Sequence, residues 1–239
     1  MINRPAIKAD AKNLCKTARP SLITMGAIFT GISLLFSTLS SRVLGTNISQ
    51  DAARHFMTFY YNGDYERAMK IAITFKPSST GEFISAVISV VMWIVTAGFV
   101  IFIMNTVRSR EASYANILDG FSMTVKILLL NLLTCLIVGA LSCLLIVPGI
   151  IFGYAYRQAL FILIDNPDMG IVQCLKESRM MMKGHKWELF RFDLSFLGWF
   201  LLAAIIPLAG IWVNPYTKTS YVMYYDVLCG KKNETDYAF

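Results

Sequence analysis

Apolar residues fall in five long runs along the chain, at about 21–39, 83–104, 127–147, 150–164 and 187–212, with short polar stretches between them. The run at 83–104 holds some 22 residues and no charge. That is the length a helix needs to cross a hydrocarbon core of about 30 Å. Only a helix satisfies its own backbone polar groups there without closing into a barrel. The pattern predicts an all-α fold, a polytopic transmembrane helical bundle of five clear spans. A last helix from Asn214-Pro215 to about Leu228 is shorter and more polar, and reads as a short sixth span or a re-entrant segment. Pro148-Gly149 interrupts the apolar run between the third and fourth spans, and the two read as a tight hairpin broken there. Pro148 removes a backbone donor and Gly149 relieves the steric limit on the turn.

The polar stretches carry their own patterns. Residues 1–20 read as a basic surface helix, with Lys8, Lys12 and Lys16 on one face and Ala6, Ile7, Ala11, Leu14 and Cys15 off it. Residues 40–82 form the one long loop, assigned to the extracytoplasmic side. Ser49-Gln50-Asp51 is placed to cap a helix reaching Tyr61, and Asn62-Gly63 to turn the chain. Asp64 is placed to cap a second helix through Phe75, with Glu66 and Lys70 paired at i, i+4. Asn166 or Asp168 caps a helix over 168–184 whose stripe Ile171, Leu175, Ser178 and Met182 makes it amphipathic and interfacial, ended by Gly184. The whole of 1–239 reads as a single integral membrane domain.

Composition sharpens the class. The 239 residues are 56% hydrophobic and 15% charged, with mean hydropathy +0.55. Soluble domains carry about a quarter charged residues, so a polar coat is missing. The net charge is +7. The bases lie between the apolar runs, which suits anionic lipid headgroups and not nucleic acid. With the N-terminus inside, fifteen bases fall on the cytoplasmic side and six outside, so a multi-pass membrane protein with a cytoplasmic N-terminus is expected. Five cysteines, at 15, 135, 143, 174 and 229, form no C-x-x-C and no visible disulfide framework.

Three ordered stretches in the second half carry a resemblance. The first is Val147-Pro148-Gly149-Ile150-Ile151, then Tyr156-Arg157 and Asp165-Asn166-Pro167. The second is Glu177-Ser178-Arg179 and Met182-Lys183-Gly184-His185-Lys186-Trp187 with Leu189-Phe190. The third is Asp193-Leu194-Ser195-Phe196-Leu197-Gly198-Trp199, then Pro215-Tyr216 and Tyr224-Tyr225. Together they resemble the bacterial integral-membrane family known as domain of unknown function 975. More distantly they are similar to the membrane domain attached to some glycerophosphodiester phosphodiesterases. The resemblance covers about 115–229 well and the N-terminal half by layout. It implies a polytopic helical fold and no established activity.

Arg157 is the sharpest chemical feature, because it falls inside the fourth span. A charge at that depth costs about 2.5 kcal/mol or more and is paired or solvated. Asp193 lies near the inner end of the fifth span, and the two are expected to form an intramembrane polar pair. The other readings are snorkelling of Arg157 to the headgroups and contact with a substrate. His185 and His55 fall on opposite faces, so no metal centre is expected. Ser178 and Ser195 lack triad partners, and no phosphate-loop, dinucleotide or H-E-x-x-H motif occurs. Neither catalysis nor a cofactor is expected. Two functions remain open: a scaffold, accessory subunit or envelope-homeostasis factor contacting other membrane proteins, or a small transporter or lipid-handling protein with a polar cavity around Arg157 and Asp193.

Overall fold

The computed structural model describes residues 3–43, 50–74 and 79–230. Among these residues the fold is helical throughout, with no strand. Four helical stretches are long and apolar enough to cross a membrane: Leu22–Val43, Ser79–Val107, Tyr114–Cys143 and Ile146–Asp165. They correspond to the first four apolar runs.

The chain divides into two compact units, Met1–Gly31 with Trp93–Phe239, and Ile32–Met92. The smaller unit holds the end of α2 (Leu22–Val43), α3 (Gln50–Tyr61), α4 (Tyr65–Thr74) and the start of α5 (Ser79–Val107). Gly63 turns the chain between α3 and α4 with φ +76°, a left-handed conformation that favours glycine. Asp64 accepts from the Arg67 amide and caps α4, and Lys70 pairs with Glu66 at 2.7 Å, as the spacing predicts. Ser49 and Phe75 lie outside the described residues.

In the larger unit, α1 (Arg4–Thr17) buries Ile7, Ala11 and Leu14. That apolar stripe packs along α12 (Gly210–Leu228). Phe29 of α2 stacks on Phe99 of α5 with centroids 4.4 Å apart. A 3-10 segment, Tyr114–Met123, leads into α6 (Thr124–Leu144). It crosses α5 closely: a Cβ on Gly98 would sit 2.1 Å from the Ile117 carbonyl oxygen, and one on Gly120 would sit 2.2 Å from that of Ile94.

Three sequence expectations are corrected. The hairpin between α6 and α7 (Ile146–Ala155) breaks at Leu145, with φ −154° and ψ 131°, three residues before Pro148. Pro148 and Gly149 sit inside the first turn of α7, where a missing N–H costs nothing. Gly149 serves close packing: its Cβ would meet Ser142 Oγ at 2.0 Å. Second, the helix expected over 168–184 is α9 (Ile171–Met181), which starts after Gly170 and is not capped by Asn166 or Asp168. Cys174, Leu175 and Ser178 face inward with Met182, and Gly184 at φ +88° follows.

Third, the run 187–212 is not one helix. It forms α10 (Lys186–Leu194), α11 (Leu197–Ile205), a 3-10 turn Pro207–Ala209 and the start of α12. Ser195 Oγ donates back to the Phe192 carbonyl at the first break. Pro207 forces Ile206 out of the helical region, to φ −119° and ψ 92°, at the second. α12 thus begins at Gly210 and carries Pro215 in its interior. The proline supplies no N–H to the Ile211 carbonyl. Gly26 of α2 lies against this place, where its Cβ would come 2.4 Å from Ile211 O.

Candidate functional site

Two polar centres, one buried and one half-buried, and one cavity stand out in the larger unit. The first centre is Arg108, the residue after α5. Its guanidinium donates through Nη1 and Nη2 to both oxygens of Asp165, at the end of α8 (Ala159–Asp165). Nε donates to both oxygens of Asp226 in α12, at 3.1 and 3.2 Å, and Nη2 donates there as well. Tyr225 Oη donates to Asp165 Oδ2 at 2.8 Å. Relative exposures are 9% for the arginine, 7% for Asp165 and 1% for Asp226. Burial opposes the Arg108 charge, yet the hydrogen bonds and attraction of Asp226 and Asp165 outweigh it and raise its pKa above the ordinary value. One planar fork therefore ties the ends of α5 and α8 to the last turns of α12.

The second centre is Asp193, in the last turn of α10. Tyr221 Oη donates to its Oδ1 at 2.7 Å and Tyr154 Oη to its Oδ2 at 3.0 Å. Arg157 lies in the turn between α7 and α8, with Nη2 3.8 Å from Asp193 Oδ2 and its guanidinium over the Tyr221 ring. The expected partners do meet. The tyrosines, however, make the short hydrogen bonds, and the arginine, 48% exposed, completes a looser contact.

Arg157 also lines a cavity of about 270 Å³ between α6, the α7–α8 turn and α12. Lys218, Gln158, Asn131 and Thr134 share its wall, and no carboxylate does. Lys218 has no carboxylate partner among the described residues. Gln158 is 2% exposed; among the described residues its amide nitrogen reaches only Met182 Sδ at 3.7 Å, and its oxygen has no partner. Two cations and an unsatisfied amide thus line one small space. That set suits an anion bearing a hydroxyl or similar donor.

A family model described as protein of unknown function (DUF975) matches residues 10–232. The chain belongs to the DUF975 family. No curated protein and no solved structure matches it, and no match carries the more distant likeness to the phosphodiesterase membrane domain.

The motif residues of this DUF975 chain fall mostly at packing and capping positions. Asp165 is half of the Arg108 clamp, and Asn166 closes α8 by donating to the Ile162 carbonyl. Lys126 donates to the Pro167 carbonyl. Ser178 is buried and donates to the Ala155 carbonyl at 2.8 Å, stapling α9 to α7. Ser195 accepts from Lys8, whose ammonium sits 4.3 Å from the centroid of the buried Phe196 ring. Trp187 is exposed and stacks on Phe190. Gly198 meets nothing within 4 Å, and Trp199 packs edge-on to Tyr216. Tyr224 is buried on Phe192, with no partner for its hydroxyl among the described residues.

The sequence expectation includes the tyrosines of the last helix but neither Asp226 nor Tyr154, and it gives Lys218 and Gln158 no role in a site. Arg108 reads in sequence as a surface anchor. One signal was present: Asp226 is a lone acid in Tyr221–Leu228, and such an acid needs a base when the helix is buried.

Proposed function

We propose that the chain crosses a bacterial cytoplasmic membrane four times with its N-terminus inside, and that it is a non-enzymatic lipid-handling protein which holds an anionic headgroup in the Arg157–Lys218 cavity. In this topology the ends of α5, α8 and α12 all lie on the inner side, which accounts for their convergence on Arg108. The amphipathic α9 and the basic α1 also fall on that side, beside anionic headgroups. Arg157 precedes Asp165 by eight residues, about 12 Å along a helix, so the cavity lies within reach of the inner headgroup layer.

The observation that carries the reading is the pair of cations in a cavity with no lining carboxylate. An unpaired ammonium near the bilayer costs free energy that an anion recovers. A pure scaffold, or a subunit that only docks other membrane proteins, has no use for such an interior. No catalytic set surrounds the cavity, and neither a cofactor nor nucleic acid is part of the reading.

The test is lipid mass spectrometry of protein purified in mild detergent, comparing wild type with Arg157→Gln/Lys218→Gln. Anionic phospholipid enriched over the bulk membrane in wild type and lost in the variant is expected. A bulk-like lipid profile in both, from protein of equal thermal stability, overturns the reading.

A further inference from the structure

We infer that α11 and the start of α12 form a re-entrant hairpin, and that the groove it makes with α1 seats one acyl chain of an anionic inner-leaflet phospholipid, with the phosphate on Lys12 and Lys16. The inference rests on the four-span topology proposed above but not on the Arg157 cavity.

The hairpin follows from length. α11 has nine residues, about 13.5 Å of helix, less than half of a hydrocarbon core of about 30 Å. It enters and comes back: Phe196, just before α11, lies 5.5 Å from the Tyr216 ring and 5.9 Å from that of Tyr221. No residue of α11 is buried. Ile205 is 79% exposed, and Trp212, past the tip, is 57% exposed. A surface of that kind is stable only against lipid or an apolar partner.

The groove has a volume of about 590 Å³, well within the range of built ligand sites. Trp199, Leu202 and Val213 are among its apolar walls, and Lys12 and Lys16 are its charged residues. An apolar slot with an ammonium pair matches an amphiphile with a negative head and a hydrocarbon tail. The charge selects the occupant further. Of the three lysines on this face of α1, Lys8 is committed to Ser195 and Phe196. Lys12 and Lys16 are exposed and have no carboxylate partner among the described residues. One helical turn apart, they point the same way and bracket a single phosphate. An apolar protein segment would fill the slot but leave both ammonium groups without a counter-charge.

The test uses the full chain in phosphatidylcholine vesicles, with Trp93→Phe and Trp187→Phe so that only Trp199 and Trp212 emit. Phosphatidylglycerol or phosphatidylcholine with brominated acyl chains is added at low mole fraction, and quenching is read. Brominated phosphatidylglycerol is expected to half-quench at a lower mole fraction than brominated phosphatidylcholine. Lys12→Gln and Lys16→Gln should each erode that preference by about fivefold, and 0.5 M salt should erode it without any substitution. Equal quenching by the two lipids overturns the inference, as does a preference that survives Lys12→Gln/Lys16→Gln. Arg157→Gln/Lys218→Gln should leave the quenching unchanged; this separates failure of the groove from failure of the headgroup cavity.

Discussion

Arg108 grips Asp165 with both terminal nitrogens of its guanidinium while the same group spans Asp226. The relationship joins chain positions 57 and 118 residues apart, and it is nearly dry. A buried ion pair adds little over an apolar isostere, but breaking one strands the remaining charge at about 3–5 kcal/mol. Arg108→Ala strands two. Thermal unfolding in detergent should show Arg108→Ala as the most destabilising single change at this centre. Arg108→Lys should be nearly as poor, because an ammonium cannot fork to both acids. Asp165→Asn/Asp226→Asn in the Arg108→Ala background should restore part of the loss. Equal stability of wild type and Arg108→Ala would refute the clamp.

Asp193 and Arg157 behave differently, because Asp193 has closer partners. Asp193→Ala leaves the Tyr154 and Tyr221 hydroxyls without their acceptor, a loss of about 1–3 kcal/mol. Arg157→Ala removes a 3.8 Å contact from a half-exposed side chain and should cost less than about 1 kcal/mol. A double-mutant cycle should therefore give a small coupling between the two, while Asp193 and Tyr221 couple strongly. A large Arg157–Asp193 coupling would reverse this ranking.

Hydropathy made the four candidate spans legible, because a long apolar run has few other fates, although the fourth is two short helices, α7 and α8, joined at Arg157. It failed on 187–212 for the same reason. An averaged window does not register a turn at Ser195–Phe196 or a helix end forced by Pro207. Pro148-Gly149 misled in the opposite direction. The dipeptide reads as a break, yet proline is harmless in a first turn, and Gly149 is there so that α7 can approach Ser142. At the sites, Arg157 and Asp193 were legible as charges out of place. Arg108 was not, because a base just past an apolar run has an ordinary explanation in topology. Its need for Asp226 appears only when α12 is folded back beside α5 and α8. Lys218 is one of the six outer bases when 187–212 is taken as a single span, which sets it apart from Arg157.

The glycines divide into two predicted classes. Gly26, Gly98 and Gly120 each face a backbone carbonyl that a Cβ would strike at 2.4 Å or less. Alanine there must push helices apart, at a cost of about 1–3 kcal/mol. Gly31 and Gly139 are helical with nothing within 4 Å. Alanine there should be neutral or stabilising by up to about 1 kcal/mol, since glycine carries extra backbone entropy in the unfolded chain. Melting temperatures of the five alanine variants check the division. Destabilisation at Gly139 matching that at Gly98 would show that space is not the deciding factor.

The number of crossings decides where residue 208 lies. If the run 187–212 crossed as one span, the 3-10 turn Pro207–Ala209 would emerge outside. If α11 and α12 form a re-entrant hairpin, the turn stays within the bilayer. In a cysteine-free background, Leu208→Cys should resist a membrane-impermeant maleimide applied to intact cells. Tyr61→Cys, at the end of α3 and 79% exposed, should label readily from outside. Lys176→Cys on α9 should label only after permeabilisation. Labelling of Leu208→Cys from outside would restore the fifth crossing and move Lys218 toward the outer face. It would also remove the reason for α1 and α12 to share an inner-leaflet groove. Protection of Leu208→Cys, with Tyr61→Cys labelled and Lys176→Cys silent, fits four crossings with a returning hairpin. In that arrangement the Arg108 clamp, the Arg157 cavity and the α1 lysines all face the same leaflet.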